Sequence, residues 1–175
     1  AIAHGLVGSE MCIRDRAALR VIGLDRQDTP IMNRAADAAS EIIDEFGFLD
    51  DWEDRYQLLI DLGRRLPPLP AQYASDEYRL RGCQSVVHFA AETDNGEITF
   101  HAGSDAAIVQ GLIALLLRVY SGRTAEEIRD TEATFLGEIG LDSHLSPTRK
   151  TGLASMLTAI KACLLYTSDA ADEAI

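Results

Sequence analysis

Residues 81–89 read Arg-Gly-Cys-Gln-Ser-Val-Val-His-Phe, a cysteine on a turn that runs into an apolar, β-branched stretch. Gly82 supplies the backbone freedom that a turn requires, and Val-Val-x-Phe suits a pleated, half-buried strand. The pattern therefore predicts a loop that leads into a β-strand, with the thiol of Cys83 at its entrance. Arg79 and Arg81 precede the cysteine, and a nearby positive charge favours the reactive thiolate. Free cysteines are also among the residues most often buried, so a packed, structural Cys83 is the alternative.

The segment after this stretch predicts a hairpin. Asp94-Asn95-Gly96 follows the first strand, and Asn-Gly tolerates the positive φ angles of a tight hairpin turn. Residues 97–102 then alternate with Ile98 and Phe100 on one face, which predicts a returning second strand.

Helical periodicity predicts helices on both sides of the hairpin. Residues 106–120 are apolar nearly all round, which is typical of a helix at the centre of a domain. Residues 69–78, which connect the second helix to the Cys83 stretch, are expected to be irregular and mobile. The other predicted helices cover 33–46, the segment from Asp50 or Asp51 to the prolines at 67–70, the capping box Thr124-x-x-Glu127, 135–141, and the segment from the Ser146-Pro147 start to 162.

Length and charge narrow the class of protein. The chain has 175 residues and a formal net charge of −12, which suits one domain and argues against nucleic acid or an anionic membrane as partner. The longest apolar run, residues 106–117, is too short for the roughly 18 residues a bilayer requires. Three cysteines without a CxxC pair indicate neither a disulfide framework nor a zinc site. A reducing, cytoplasmic location is expected.

Both ends differ in character from the centre. Residues 5–16 (GLVGSEMCIRDR) and 163–175 (CLLYTSDAADEAI) look like translated adapter sequence, which has no part in a fold. We therefore expect residues 1–31 to be an extension that is in large part extraneous, 32–162 to be the domain, and 163–175 to be an extraneous tail. If all of residues 1–31 are extraneous, Met32 is the expected start of the protein. In the alternative interpretation, residues 17–31 are a natural extension of the domain.

Four segments follow one another along the chain at the spacing of a known family: RLPPLP at 65–70, RGCQSVVHF at 81–89, residues 104–124, and the Ser-Pro-Thr-Arg helix start within 139–162. Together they resemble the SufE family of sulfur acceptors for cysteine desulfurases, over roughly residues 42–162. The resemblance implies a single α+β domain, in which a small antiparallel sheet of two to three strands packs against several helices.

The resemblance also implies a function. Cys83 is expected to become the persulfide carrier, on a loop that moves between a sheltered and an extended position. The implied partners are a cysteine desulfurase and a downstream iron–sulfur scaffold complex, and a homodimer is left open. No cofactor is expected on this chain, because pyridoxal phosphate belongs to the desulfurase. Partner or loop contacts are expected from a further set of residues: Arg81, Gly82, Gln84, Asp105 and Arg149.

Two of these contacts have simpler alternatives. Arg149 lies in the first turn of a helix, where a cation opposes the helix dipole, so it indicates either a partner contact or an internal ion pair. The N-cap of the helix after the second strand is expected to be Ser104 or Asp105, and Asp105 is alternatively an anchor for the Cys83 loop. The histidines lack the spacing of a metal site and are interpreted as structural or surface residues: His88, His101 and His144.

Three other functions stay open beside sulfur acceptance in iron–sulfur cluster assembly. The same chemistry with a different desulfurase would serve other sulfur pathways. An iron–sulfur scaffold of related fold would require several thiolates. A thiol-dependent redox enzyme would require a resolving cysteine or a nearby base.

Overall fold

Helices pack on one face of a small sheet built on a β-hairpin, and the segment that carries Cys83 leads directly into that hairpin. The computed structural model describes the backbone of residues 32–172 and the side chains of residues 32–165. The elements are α1 Arg34–Gly47, α2 Trp52–Arg65, two 3-10 turns at Ala71–Tyr73 and Asp76–Tyr78, β1 Val87–Asp94, β2 Glu97–Ser104, α3 Ala107–Tyr120, β3 Arg123–Thr124, α4 Ala125–Asp130, α5 Phe135–Glu138, α6 Leu141–His144 and α7 Pro147–Asp172. The α+β class with its small antiparallel sheet is confirmed.

The three strands are ordered β1-β2-β3, and both pairings are antiparallel. The predicted hairpin turn is confirmed, because Asn95 and Gly96 adopt φ angles of 51° and 82°. In the antiparallel register Ala91 lies opposite Phe100, and Thr93 lies opposite Ile98. The buried residues Ile98 and Phe100 are two positions apart on β2, so their side chains share one face of the sheet. The third strand has only two residues, too few for the sequence to show a strand pattern.

Helix α3 is the centre of the core, as its apolar sequence predicts. It crosses α2 at a glycine contact: a Cβ on Gly63 would lie 2.7 Å from the Gly111 nitrogen, and one on Gly111 would lie 2.3 Å from the Leu59 carbonyl oxygen. Neither position tolerates a side chain, so the two glycines let the helix backbones approach closely.

The helix starts agree in part with the predicted caps. The Thr124–Glu127 capping box is present. Asp51 occupies the N-cap position of α2, but its side chain makes no capping hydrogen bond. Asp105 as an N-cap is wrong, because α3 begins one residue later, after Ala106. The Ser104 hydroxyl accepts a hydrogen bond from the Ala106 amide at 3.3 Å and takes the place of the carboxylate.

The connection before Cys83 contains the two 3-10 turns and packs on the face of the hairpin away from α3. Tyr73 is buried there, stacks on His101 with ring centroids 5.1 Å apart, and donates its hydroxyl hydrogen bond to Glu92. Leu69 lies against Gly103, where a Cβ would be 3.3 Å from the Leu69 Cβ. The connection lacks long regular elements, as expected, but these contacts anchor it to the sheet, so the expected mobility of residues 69–78 finds no support in this packing.

The last helix continues past the predicted domain boundary at residue 162. Cys163 packs against the core and Leu164 is 8% exposed, so apolar packing reaches at least two residues further. The boundaries themselves stay a prediction, and the proposed extraneous residues 1–31 lie outside the described part of the chain. Within residues 32–172, the helices are all too short or too polar to cross a membrane.

Candidate functional site around Cys83

The Cys83 loop comprises residues 81–86 and connects two residues that are hydrogen-bonded to each other, Leu80 and Val87. The Leu80 amide donates to the Val87 carbonyl at 2.8 Å, and Arg79 forms an isolated antiparallel bridge with His88. Residues 81–86 therefore project from a fixed base at the start of β1. The predicted turn into a strand is confirmed.

Gly82 is required at the tip of this loop for two reasons. Its φ angle is 93°, a region that residues with a Cβ rarely adopt. A Cβ at this position would also lie 2.9 Å from the Ser155 hydroxyl oxygen on α7. The glycine thus lets the loop lie directly on the helix.

The thiol of Cys83 is half-buried against the same helix. Its Sγ lies 3.6 Å from the Gly152 carbonyl oxygen, with the thiol as donor. A Cβ on Gly152 would be 3.5 Å from this sulfur, an ordinary van der Waals contact, so a side chain longer than that of alanine would compete with the thiol for this space. Cys83 and Gly152 are 69 residues apart in sequence, so the contact is a product of the tertiary fold.

The electrostatic expectation for Cys83 is wrong in this conformation. Burial raises the pKa of the thiol above its ordinary value, and Arg79 and Arg81 do not offset that effect. Both arginines are exposed, and water screens an exposed charge strongly. The docked thiol is therefore protonated at neutral pH, which protects it from oxidation and alkylation.

The other predicted site residues divide into two groups. Arg81 and Gln84 are exposed on the loop itself, and Arg149 is exposed one helical turn before Gly152. Within residues 32–165, Arg149 makes no ion pair, so the internal-pair alternative finds no support there. Asp105 has only a 3.5 Å contact from the Ser104 hydroxyl among its side-chain bonds to described residues, and none joins it to the Cys83 loop.

Gly152 and Ser155 are site residues that the sequence patterns did not indicate. Gly152 is buried in the interior of α7, where glycine costs about 1 kcal/mol relative to alanine. That local cost was the available signal, because an unfavourable helical glycine often has a packing reason.

The start of α7 is held in place by aromatic contacts with α2. Trp52 stacks on His144 with ring centroids 3.6 Å apart, and the Tyr56 hydroxyl donates to the His144 carbonyl at 2.7 Å. His144 precedes Pro147 by three residues, so these contacts fix the entry of the helix on which Cys83 rests.

The second described free cysteine, Cys163, lies on the same helix as Gly152 but far from the thiol of Cys83. Eleven residues separate Gly152 from Cys163 along α7, which corresponds to roughly 16 Å at the helical rise. A disulfide needs Cα atoms within about 7 Å. Cys163 is therefore out of reach as a resolving cysteine in this conformation.

Comparison with known proteins identifies the family. Residues 40–164 match SufE, described as the Fe-S metabolism associated domain. An uncharacterized SufE-like protein of Rhizobium meliloti (strain 1021) is 44% identical over 126 residues, which cover 69% of this chain and 90% of that protein. An uncharacterized SufE-like protein of Rhizobium etli is 43% identical over 126 residues, covering 69% of this chain and 85% of that protein.

A solved structure shares the fold. The solution structure of a hypothetical protein from Thermus thermophilus superposes with a TM-score of 0.62 at 22% identity, over 74% of this chain and 94% of that chain. The family match supports a role in sulfur transfer within iron–sulfur metabolism. The resemblance drawn from the four motifs is confirmed, and the chain belongs to the SufE family.

Proposed function

We propose that this chain is a persulfide carrier that accepts sulfur from a cysteine desulfurase on Cys83. It stimulates the desulfurase and passes the sulfur to a downstream scaffold for iron–sulfur cluster assembly, in the reducing cytoplasm. The observation that carries the proposal is a single half-buried thiol on a closed loop, docked against a helix position that has no side chain.

The transfer step is a thiol exchange. The thiolate of Cys83 attacks the terminal sulfur of the donor persulfide, the donor S–S bond breaks, and the donor cysteine leaves as a thiolate. A new bond joins that sulfur to Cys83 Sγ, and the proton on the terminal sulfur stays with it. The step needs no oxidant, reductant or cofactor on this chain, since pyridoxal phosphate serves the desulfurase alone.

The thiol of Cys83 must be protected from oxidants between transfers but accessible to the desulfurase during transfer. A movable loop satisfies both requirements. In the docked position burial raises the pKa of Cys83 and keeps the thiol protonated. Attack requires a thiolate and an open approach, so we propose that residues 81–86 leave Gly152 when the desulfurase binds. The Leu80–Val87 hydrogen bond forms the base on which the loop turns.

Mass spectrometry after incubation with a desulfurase, cysteine and pyridoxal phosphate tests the proposal. The full chain should gain one sulfur atom, about 32 Da, on the peptide that contains Cys83, and Cys83→Ser should gain none. Desulfurase stimulation should fall with it, because a serine hydroxyl stays protonated at neutral pH.

Cys163→Ser is the matched control, because Cys163 is also a half-buried free thiol with a pKa raised by burial. It should accept sulfur as the wild-type chain does. Full stimulation by Cys83→Ser, or label on the Cys163 peptide, would show that Cys83 is a structural thiol.

A further inference from the structure

Three polar side chains fasten the connection at residues 69–78 to the hairpin. The Tyr73 hydroxyl donates a hydrogen bond to the Oε1 atom of Glu92, and the Nε2 atom of His101 lies 3.4 Å from the Oε2 atom of the same carboxylate. The rings of Tyr73 and His101 stack, with centroids 5.1 Å apart. All three side chains therefore contact one another, and we name this cluster the tyrosine anchor.

Tyr73 is the one residue of the connection that is buried. Leu69 and Tyr78 are half-buried, and the other seven residues of 69–78 are exposed. The ring of Tyr78 packs edge-on against Tyr73, with centroids 5.1 Å apart, so its position depends on the anchor as well. The attachment of the connection to the sheet therefore rests largely on Tyr73 and its partners.

The connection runs directly into the base of the Cys83 loop. Arg79 and Leu80 follow Tyr78, and they pair with His88 and Val87 through one bridge and one hydrogen bond. Strand β1 lies at the edge of the sheet, because the strand order is β1-β2-β3. Such a short pairing is marginal by itself. Its persistence therefore depends on what holds Arg79 and Leu80 beside β1.

The tyrosine anchor shortens the free chain that precedes this base. Tyr73 is six positions before Arg79, whereas Arg65, the last residue of α2, is 14 positions before it. The conformational entropy lost on closing a loop grows with its length. An anchored Tyr73 therefore favours the pairing at the base, and with it the docked position of Cys83.

The protonation states of the anchor suit its hydrogen bond, and the anchor lies outside the main core. The hydrogen bond from Tyr73, followed by the contact with His101, lowers the pKa of Glu92, so the carboxylate is ionised at neutral pH. The same hydrogen bond raises the pKa of Tyr73, which keeps its proton in place as the donor. Tyr73 is 8% exposed but does not belong to the apolar core cluster. Removal of its hydroxyl should therefore leave the packing of the helices intact.

We propose that Tyr73 is a positioning residue for Cys83, whose anchor holds the base of the loop and so limits how often the thiol leaves Gly152. This inference rests on the loop movement in the proposed function, and it adds the contact that restrains the movement. The anchor acts on the thiol through the backbone of residues 79–80 rather than by direct contact. Release of the anchor should expose the thiol while the core stays folded.

Tyr73→Phe removes only the hydroxyl of the anchor and tests this role. The variant should melt close to the wild-type chain, yet Cys83 should react with iodoacetamide about fivefold faster, the effect expected for one lost hydrogen bond. Peptide mass mapping after timed alkylation measures each cysteine separately. The rate at Cys163, a half-buried thiol on α7, should not change, because it would rise only if the whole domain opened.

Tyr78→Phe is the matched control, because it deletes the same atom from the same connection. Among residues 32–165 the Tyr78 hydroxyl has no hydrogen-bond partner, and phenylalanine keeps the ring contact with Tyr73. This variant should leave the alkylation rate of Cys83 unchanged within about twofold.

Glu92 variants show whether the hydroxyl acts through the carboxylate. Glu92→Ala should accelerate alkylation of Cys83 at least as much as Tyr73→Phe does. The double variant should add nothing beyond Glu92→Ala, because both changes remove the same hydrogen bond. Glu92→Gln keeps an acceptor oxygen and should retain most of the protection.

The outcomes separate this inference from the proposed function. Equal alkylation of Cys83 in the wild-type and Tyr73→Phe chains, an equal acceleration by Tyr78→Phe, additive effects in the double variant, or a matching rise at Cys163 would overturn the role of Tyr73 while sulfur transfer to Cys83 stands. Absence of sulfur on Cys83 in the wild-type chain would overturn the proposed function, whereas the alkylation rates would still measure the restraint on the loop.

Discussion

At the scale of single residues, the chemistry of Cys83 is set by what surrounds the sulfur rather than by its neighbours in sequence. Two arginines within four residues predict an activated thiol, but the docked loop buries the sulfur and leaves both guanidinium groups in water. Desolvation penalises a thiolate directly, whereas a screened charge favours it only weakly. Burial therefore determines the direction of the shift.

We expect the Cys83 thiol to titrate above its ordinary pKa of 9.0, because burial raises the pKa in the docked loop. The folded state then favours the neutral thiol, so its contribution to stability is present below the ordinary pKa and is lost as pH rises past it. Thiolate absorbance in a Cys12→Ser, Cys163→Ser background measures this titration. An apparent pKa at or below 9.0 would show that the thiol is not sheltered in solution.

At the scale of elements, α7 acts as the support for the Cys83 loop. Its interior glycine, Gly152, is unfavourable for the helix, and the thiol of Cys83 packs directly against it. Gly152→Ala should raise stability by about 0.8 kcal/mol, the difference in helix propensity. Its Cβ would sit 3.5 Å from Sγ, an ordinary contact, so the loop should stay docked.

Gly152→Leu is the paired test, since its larger side chain needs the volume that the thiol occupies. It should displace the loop and raise the iodoacetamide reaction rate of Cys83 on the order of tenfold, equivalent to about 1.4 kcal/mol of docking preference. Thermal melting measures the first effect and alkylation kinetics the second. Equal reactivity in the alanine and leucine variants would contradict a docked thiol.

At the scale of the whole molecule, one buried carboxylate joins three elements. Glu127 on α4 accepts hydrogen bonds from Arg34 of α1 at 2.9 and 2.8 Å and from the Thr124 amide at 2.9 Å. Arg34 also pairs with Glu97 of β2. The hydrogen bonds from Arg34 lower the pKa of Glu127 to about 2.

Glu127→Gln should lower the free energy of unfolding by about 2 kcal/mol at neutral pH, because charged hydrogen bonds are lost. The 43% exposure of Arg34 keeps this below the loss expected for a fully buried pair. The contribution of Glu127 is present above its ordinary pKa of 4.5 and disappears as pH falls towards about 2. Urea unfolding across this range should show a smaller acid loss in the variant, and an equal loss would contradict the pair's role.

Truncation tests the extent of the domain. Removing residues 1–31 and 166–175 should leave the melting temperature unchanged, because their sequences lack the amphipathic pattern of the core. Ending the chain at 162 instead removes the buried Leu164, which is 8% exposed, and should cost about 2 kcal/mol. Differential scanning calorimetry of the two chains provides the comparison, and equal melting would place the boundary at 162.

Local signals in the sequence determined the elements and the position of the thiol. Asn95-Gly96 specified the hairpin through positive φ angles, Thr124 and Glu127 specified a helix start through reciprocal capping, and Gly82-Cys83 specified the turn. Each depends on residues within a few positions of one another, so the sequence alone sufficed.

Only the tertiary structure decided what the thiol contacts and which charges are free. The Cys83–Gly152 contact joins residues 69 positions apart, and Asp105 turned out neither to cap α3 nor to bond with the loop. Whether an arginine is paired likewise depends on which carboxylates the fold brings to it. Long-range packing therefore determined the direction in which the pKa of Cys83 shifts and left Arg81 and Arg149 exposed, because burial and pairing are properties of the folded chain.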